Sequence, residues 1–424
     1  MKKILSLLLL LSSTLCIFAQ IEGIEYDDVI YDEGIHAVKF HVTDFPLTQP
    51  IIELGEDSSF TVSFDDLNEQ IRDVYYTIIH CDANWNPSDL SNMEYIDGFD
   101  EDQLDDSNFS SNTLTEFTHY EFELPNDNMS WTKSGNYILV VYTTDEDKLP
   151  LFTRRFMVVE TKSKIDLDLL RAANASKVKT HQEIDFIVTP YNLGGREPRK
   201  ELRAVVMQNG RWDNAVVDIA PYSINRDKVI FDYQDKVSFP AGKEYRFLDL
   251  RSFRFRGEGI AAIDEYRDVY EVTLKPDRDL SPYAYQYFRD INGNFTLGNI
   301  DEQNDPLRTD YGLVLFSIEK QVPFYDKDVY LFGKLTDWQI KEKFKLAYSE
   351  KLGLYAADVL LKQGYYNYTY AVVDKKTKAV DATYFDGNWF EAENDYTILI
   401  YFRPFGARYD QLVGRKTFKS LTIN

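Results

Sequence analysis

YYTIIHCDANWNPSDLSNMEYIDGF, residues 75–99, is the stretch whose reading decides the fold. Val74–Ile79 is β-branched and aromatic, which suits a pleated, half-buried strand. His80, Cys81, Asp82 and Trp85 follow within six positions and resemble catalytic equipment. Strand geometry argues against that reading. Successive side chains point to opposite faces, so His80 and Cys81 do not form a thiol–imidazole pair with each other. Beyond the strand, Asn86-Pro87 predicts a turn, and Asp97–Asn112 predicts an exposed acidic loop.

Outward from this segment the same pattern recurs. Ile51–Leu54, Ser59–Phe64, Thr118–Leu124, Tyr137–Tyr142 and Leu151–Val159 read as short strands, with clean alternation in His119–Leu124. Turn chemistry such as Ser134-Gly135-Asn136 separates them. Residues 20–160 therefore predict a Greek-key β-sandwich. Lys162–Lys164 reads as a linker, and residues 161–282 predict a second sandwich. Residues 283–310 read as a connector, with Ser281–Asp290 a helix candidate capped by Ser281 and started by Pro282. Residues 311–424 predict a third sandwich. The fold class is all-β, with tandem immunoglobulin-like sandwiches. The 30 Tyr and 28 Phe of the 424 residues agree, because both suit half-buried strands.

Residues 1–19 predict a signal peptide: Lys2 and Lys3, then the apolar run Ile4–Phe18, then Ala19. Leu15 stands where a lipobox ahead of Cys16 needs a small residue. No later apolar run approaches the ~18 residues of a membrane helix. Cleavage removes Cys16 and leaves Cys81 alone, so no intrachain disulfide forms, and a lone thiol in an oxidising compartment is expected to be buried. Removing Lys2 and Lys3 leaves 45 basic residues against 70 acidic, a net charge of −25. That charge disfavours nucleic acid and anionic membrane surfaces as partners.

Signals for chemistry are poor. His36, His41, His80, His119 and His181 show no metal-ligand spacing, and no phosphate loop, nucleophile elbow or zinc-protease motif occurs. Cys81 as a hydrolase nucleophile would need a base from elsewhere, such as His119 or His181. The oxygen-rich runs Asp97–Asp106 and Asp290–Asn294 do not fit calcium-loop spacing. The expectation is no enzyme activity, no cofactor and no metal.

The third unit carries the sharpest local motif. Gly333-Lys334-Leu335-Thr336-Asp337-Trp338 closes one strand, and Leu361-Lys362-Gln363-Gly364-Tyr365-Tyr366-Asn367-Tyr368 opens another that runs to Val373-Asp374. This is similar to early-set immunoglobulin-like modules, which include glycogen- and starch-binding domains. Trp338 is the candidate for stacking on a sugar ring, which gives the alternative function of a glycan-binding cell-envelope module. The second aromatic that sugar-binding members place after the Val-Asp turn is missing from Asp374–Lys378.

The order of landmarks across the chain is more specific. His80, Cys81, Asp82, Trp85, Asn86 and Pro87, then Ser134–Tyr137, then DINGN at Asp290, then the Trp338 module, resembles the plug protein family of the type 9 secretion system. The six residues from His80 to Pro87 serve as a family fingerprint without a catalytic role. The resemblance implies a periplasmic protein at the inner face of the outer membrane. Its implied partner is the giant translocon β-barrel, together with the barrel's outer-membrane and periplasmic subunits. Its implied role is to seal the barrel's periplasmic mouth when no substrate is engaged.

Overall fold

Val74–Cys81 forms the predicted strand and pairs antiparallel with Gly135–Thr143, which pairs in turn with Leu149–Val159. Val29–Ile30 and Asp102–Gln103 flank these three, and Ile51–Glu53 adds in parallel to Leu149–Val159. A second sheet, ordered Ile35–Val42, Phe60–Asp66, Thr118–Leu124 and Ser107–Phe109, covers one face. Phe60, Phe64, Tyr76, Ile78, Tyr137 and Phe156 fill the space between them. This computed structural model describes residues 21–422 except 22, 69–70, 105, 145–147, 192 and 194–196. The expected signal peptide lies outside the described residues.

All nine residues of Gly135–Thr143 are buried, because a third sheet covers the other face. Cys81, Ile138, Val140 and Tyr142 point onto Val205, Met207, Leu399 and Tyr401. These last four belong to a sheet ordered Val216–Ile219, Leu202–Gln208, Asp395–Phe402 and Gln411–Lys419. Its far face packs on a fourth sheet built from Ser163–Arg171, His181–Pro190, Lys228–Phe231 and Ser223–Asn225. Two sandwiches thus stack back to back, with an apolar core between them as well as within each.

Strand pairing crosses the expected domain boundaries. Arg246–Asp249, Ile260–Tyr266 and Val269–Leu274, expected in the second sandwich, join a ten-stranded sheet with Tyr311–Glu319, Lys327–Phe332, Leu354–Lys362 and Gly364–Asp374. That sheet folds over itself, so Phe316 and Tyr368 meet at 5.1 Å between ring centroids. Asp395–Phe402 and Gln411–Lys419, expected in the third unit, complete the second sandwich instead. The reason is apolar side chains on both faces: Ile398 and Ile400 serve one core, Leu399 and Tyr401 another. The third unit is therefore an insertion in the second. Its outgoing and returning segments are stitched together, with Trp389 N–H donating to the Gly242 carbonyl at 2.8 Å.

Three local expectations also change. Lys162–Lys164 is not a free linker, because Lys162 N–H bonds the Val413 carbonyl and Ser163 starts a strand. Asp97–Asn112 contains three short strands, 96–98, 102–103 and 107–109, laced to sheet edges. Ser281–Asp290 is not helical. The Ser281 hydroxyl bonds Asp279 rather than capping a turn, and Tyr283, Tyr285 and Tyr287 recur at period two, which does not suit a helix.

Candidate functional site

The fingerprint segment spans two cores. His80 is 1% exposed. Its Nε2 lies 3.2 Å from the Ser134 carbonyl and its Nδ1 2.9 Å from the Ser88 hydroxyl. A carbonyl only accepts, so Nε2 carries the proton and Nδ1 accepts. Burial pushes its pKa down to about 4, which leaves a neutral ring. Gly135 makes room for it: φ is +143°, and a Cβ there would sit 2.5 Å from Nε2. Cys81 faces the opposite core, fully buried, and burial pushes its thiol up to about 12. The pair forms no nucleophile–base unit.

Asp82 builds the following turn. Its Oδ1 accepts from the backbone N–H of Asn84 and of Asn86, each at 2.9 Å. Pro87 bridges back to Cys81. The turn holds Trp85 at φ +66°, where its ring meets Trp212 edge-on at 5.0 Å, with the Arg155 guanidinium 4.6 Å above it. Asn136 donates to the Asp82 carbonyl at 3.0 Å and accepts from the Tyr401 hydroxyl at 2.7 Å. These residues bolt the first sandwich to the second.

Trp338 plays a matching part in the insertion. It is 7% exposed. Phe332 and Tyr245 contact its ring edge-on, and the Arg211 guanidinium lies 4.6 Å from its centroid. Gly293 of the DINGN turn lets the ring approach, since a Cβ there would lie 2.2 Å from it. The ring packs between units and offers no open face to a sugar, which corrects the expected stacking site. The DINGN carboxylate is also engaged, with Asp290 accepting from Tyr245 N–H at 2.6 Å. Among the described residues no group of three or more His, Cys, Asp and Glu is arranged to hold a metal.

A buried cluster escapes sequence reading. Asp65 is wholly buried, and three partners converge on its carboxylate. These are Lys362 at 2.5 Å, the Tyr311 hydroxyl at 2.5 Å and His119 Nδ1 at 2.6 Å. Asp65 and His119 belong to the first sandwich, Tyr311 and Lys362 to the insertion. The only sequence signal is a Lys in a strand that is otherwise apolar at Leu360 and Leu361.

Exposed aromatics cluster on two excursions. Phe99 and Phe109 lie in the 97–112 segment, and Tyr283, Tyr287 and Phe288 in the 283–310 segment. The two segments touch where Ser111 N–H donates to the Leu307 carbonyl. Among the described residues, the backbone of 284–289 makes no hydrogen bond. Tyr285 and Tyr287 tether it through their hydroxyls to Glu244 and Glu393.

A family profile described as the first domain of the type 9 secretion system plug protein matches residues 35–160. The crystal structure of a hypothetical protein from Parabacteroides merdae is 32% identical and has a TM-score of 0.89. That alignment spans 94% of this chain and 100% of the other. No curated protein matches the chain. The profile match contains the whole His80–Pro87 segment that joins the two sandwiches, and the chain belongs to the type 9 secretion system plug protein family, a structural component of secretion in the cell envelope.

Proposed function

We propose that this chain is the periplasmic plug that closes the inner mouth of the outer-membrane translocon barrel while no substrate occupies it. The observation that carries the reading is the family match over residues 35–160. The architecture supports it. Back-to-back sandwiches and an insertion clamped to both give a stopper that resists collapse. The role is non-enzymatic: Cys81 is buried and His80 is committed to structural hydrogen bonds. Phe99, Phe109, Tyr283 and Tyr287 are the proposed contacts with the barrel and its associated subunits, since exposed aromatics on a rigid scaffold serve as anchors. The acidic surface steers docking and makes it salt-dependent.

A tagged copy should co-purify with a very large outer-membrane barrel, identified by mass spectrometry. Deletion should sensitise cells to large antibiotics that intact outer membranes exclude. Serine at Phe99 and Phe109, or at Tyr283 and Tyr287, should reduce capture without lowering Tm. Unchanged permeability together with no barrel in the purified material would sink the proposal.

A further inference from the structure

The three units meet at a cleft of about 80 Å³ whose lining includes Lys39, Arg154, Asn209, Phe295 and Lys334. Its charge opposes that of the chain, which carries 47 basic residues against 70 acidic. Lys39 is 8% and Arg154 4% exposed. Burying a cation is costly unless an anion accepts its hydrogen bonds. Among the described residues, the hydrogen bonds of both cations go to backbone carbonyls rather than to a carboxylate. Lys39 Nζ donates to the Phe295 carbonyl at 2.8 Å and lies 4.1 Å from that ring's centroid. Arg154 Nη1 donates to the Thr153 carbonyl at 2.9 Å. The closest carboxylate to Arg154, Asp337, is 3.5 Å from Nη2 and equally close to Lys341. The carboxylate lining the cleft, Asp28, pairs with Lys334 at 3.1 Å, and Arg155, also in the lining, pairs with Asp27 at 2.8 Å. Four lining cations, Lys39, Arg154, Arg155 and Lys334, thus face one lining carboxylate.

Two further observations point the same way. Burial and then repulsion from Lys334 and Arg154 push the Lys39 pKa down to about 7, the mark of a cation short of counter-charge. The strand wall beside it is also irregular. Ala37, next to the cleft residue Val38, sits at φ +51° where pairing between Ile35–Val42 and Phe60–Asp66 shifts register. Such bulges re-aim side chains and recur beside functional sites.

We propose that this cleft binds a small free oxyanion, inorganic phosphate or sulfate, held by Lys39, Arg154 and Lys334. The cleft has room for one tetrahedral ion, and the converging cations match its charge. Lys39 and Arg154 come from the first sandwich, Lys334 from the insertion, so the ion staples the two together. The site stands independently of the plug reading.

The test uses the full mature chain prepared in chloride buffer. Calorimetric titration with sodium phosphate and with sodium sulfate should show one saturable site. Thermal melts at matched ionic strength should show a rise in Tm that saturates with it, unlike the unsaturating effect of salting-out ions. Lys39→Met and Arg154→Met should each weaken binding at least tenfold. Lys39→Met should be no less stable than wild type in chloride, because it removes an uncompensated charge. No saturable heat and no saturating Tm rise in wild type would overturn the proposal, whatever the variants do. So would unchanged affinity in both variants. Flotation with phosphatidic acid vesicles that is lost in Lys39→Met would replace the free ion by a lipid headgroup.

Discussion

His80 and Cys81 are neighbours in sequence and lie in different cores, and that separation sets the behaviour of each. Cys81 should resist iodoacetamide in the native protein at pH 8 and react stoichiometrically once guanidinium is added, as read by mass spectrometry. Labelling of the folded chain would restore the nucleophile reading. His80 is held neutral, with a pKa pushed from 6.5 to about 4. Its contribution is therefore complete above pH 6.5 and lost as pH falls toward 4. The loss is on the order of 3 kcal/mol. Denaturation of wild type and His80→Gln at pH 7 and pH 4.5 should show the smaller acid loss in the variant. The alternation of Val74–Ile79 was enough to place these two residues, because period two is a local property. The burial of Trp338 was not legible, because Arg211 and Gly293, which pack on it, come from distant parts of the chain.

Between elements, the joints are polar as well as apolar. Burial alone would raise the Asp65 pKa, but Lys362 and His119 more than offset it and keep the carboxylate ionised. Burial likewise opposes protonation of His119, and its bonds to Asp65 and Glu121 more than offset that. Asp65 therefore contributes stability that is present above pH 3.8 and lost on acidification below it. The raised His119 contributes stability present below pH 6.5 and lost as pH rises through its folded pKa. Lys362→Met strands a buried carboxylate and should cost about 3–5 kcal/mol. Adding Asp65→Asn should return part of that loss, as a denaturation cycle over the four proteins would show. Equal and additive losses would mean the pair is uncoupled. The strands on both sides of this joint were readable from their own patterns, but the joint was not. A single Lys in a strand gives no hint of the carboxylate that neutralises it in another unit.

At the scale of the whole molecule, the discontinuous second sandwich is the feature that sequence order concealed. Patterning predicts a strand over Thr397–Arg403, which the structure places at Asp395–Phe402, but it could not assign the partner, since apolar residues on both faces state only that both faces are covered. A chain ending at residue 390 lacks two of the four strands in that sheet. It leaves Val205, Met207, Ile138 and Val140 without their cover. It should aggregate, while the chain carrying all the described residues elutes as a soluble species in size exclusion; a soluble, cooperatively melting truncation would contradict the shared core. The same topology governs the order of maturation. Leu202–Gln208 waits for Asp395–Phe402, with Gln208 opposite Tyr396 188 residues later, before that edge finds its strand partner. A chain delivered from its N-terminus therefore carries an unpaired sheet edge until residues 395–402 arrive, a state prone to wrong pairing. A copy lacking residues 395–402 never covers that edge and should be cut by proteases faster than one that has them.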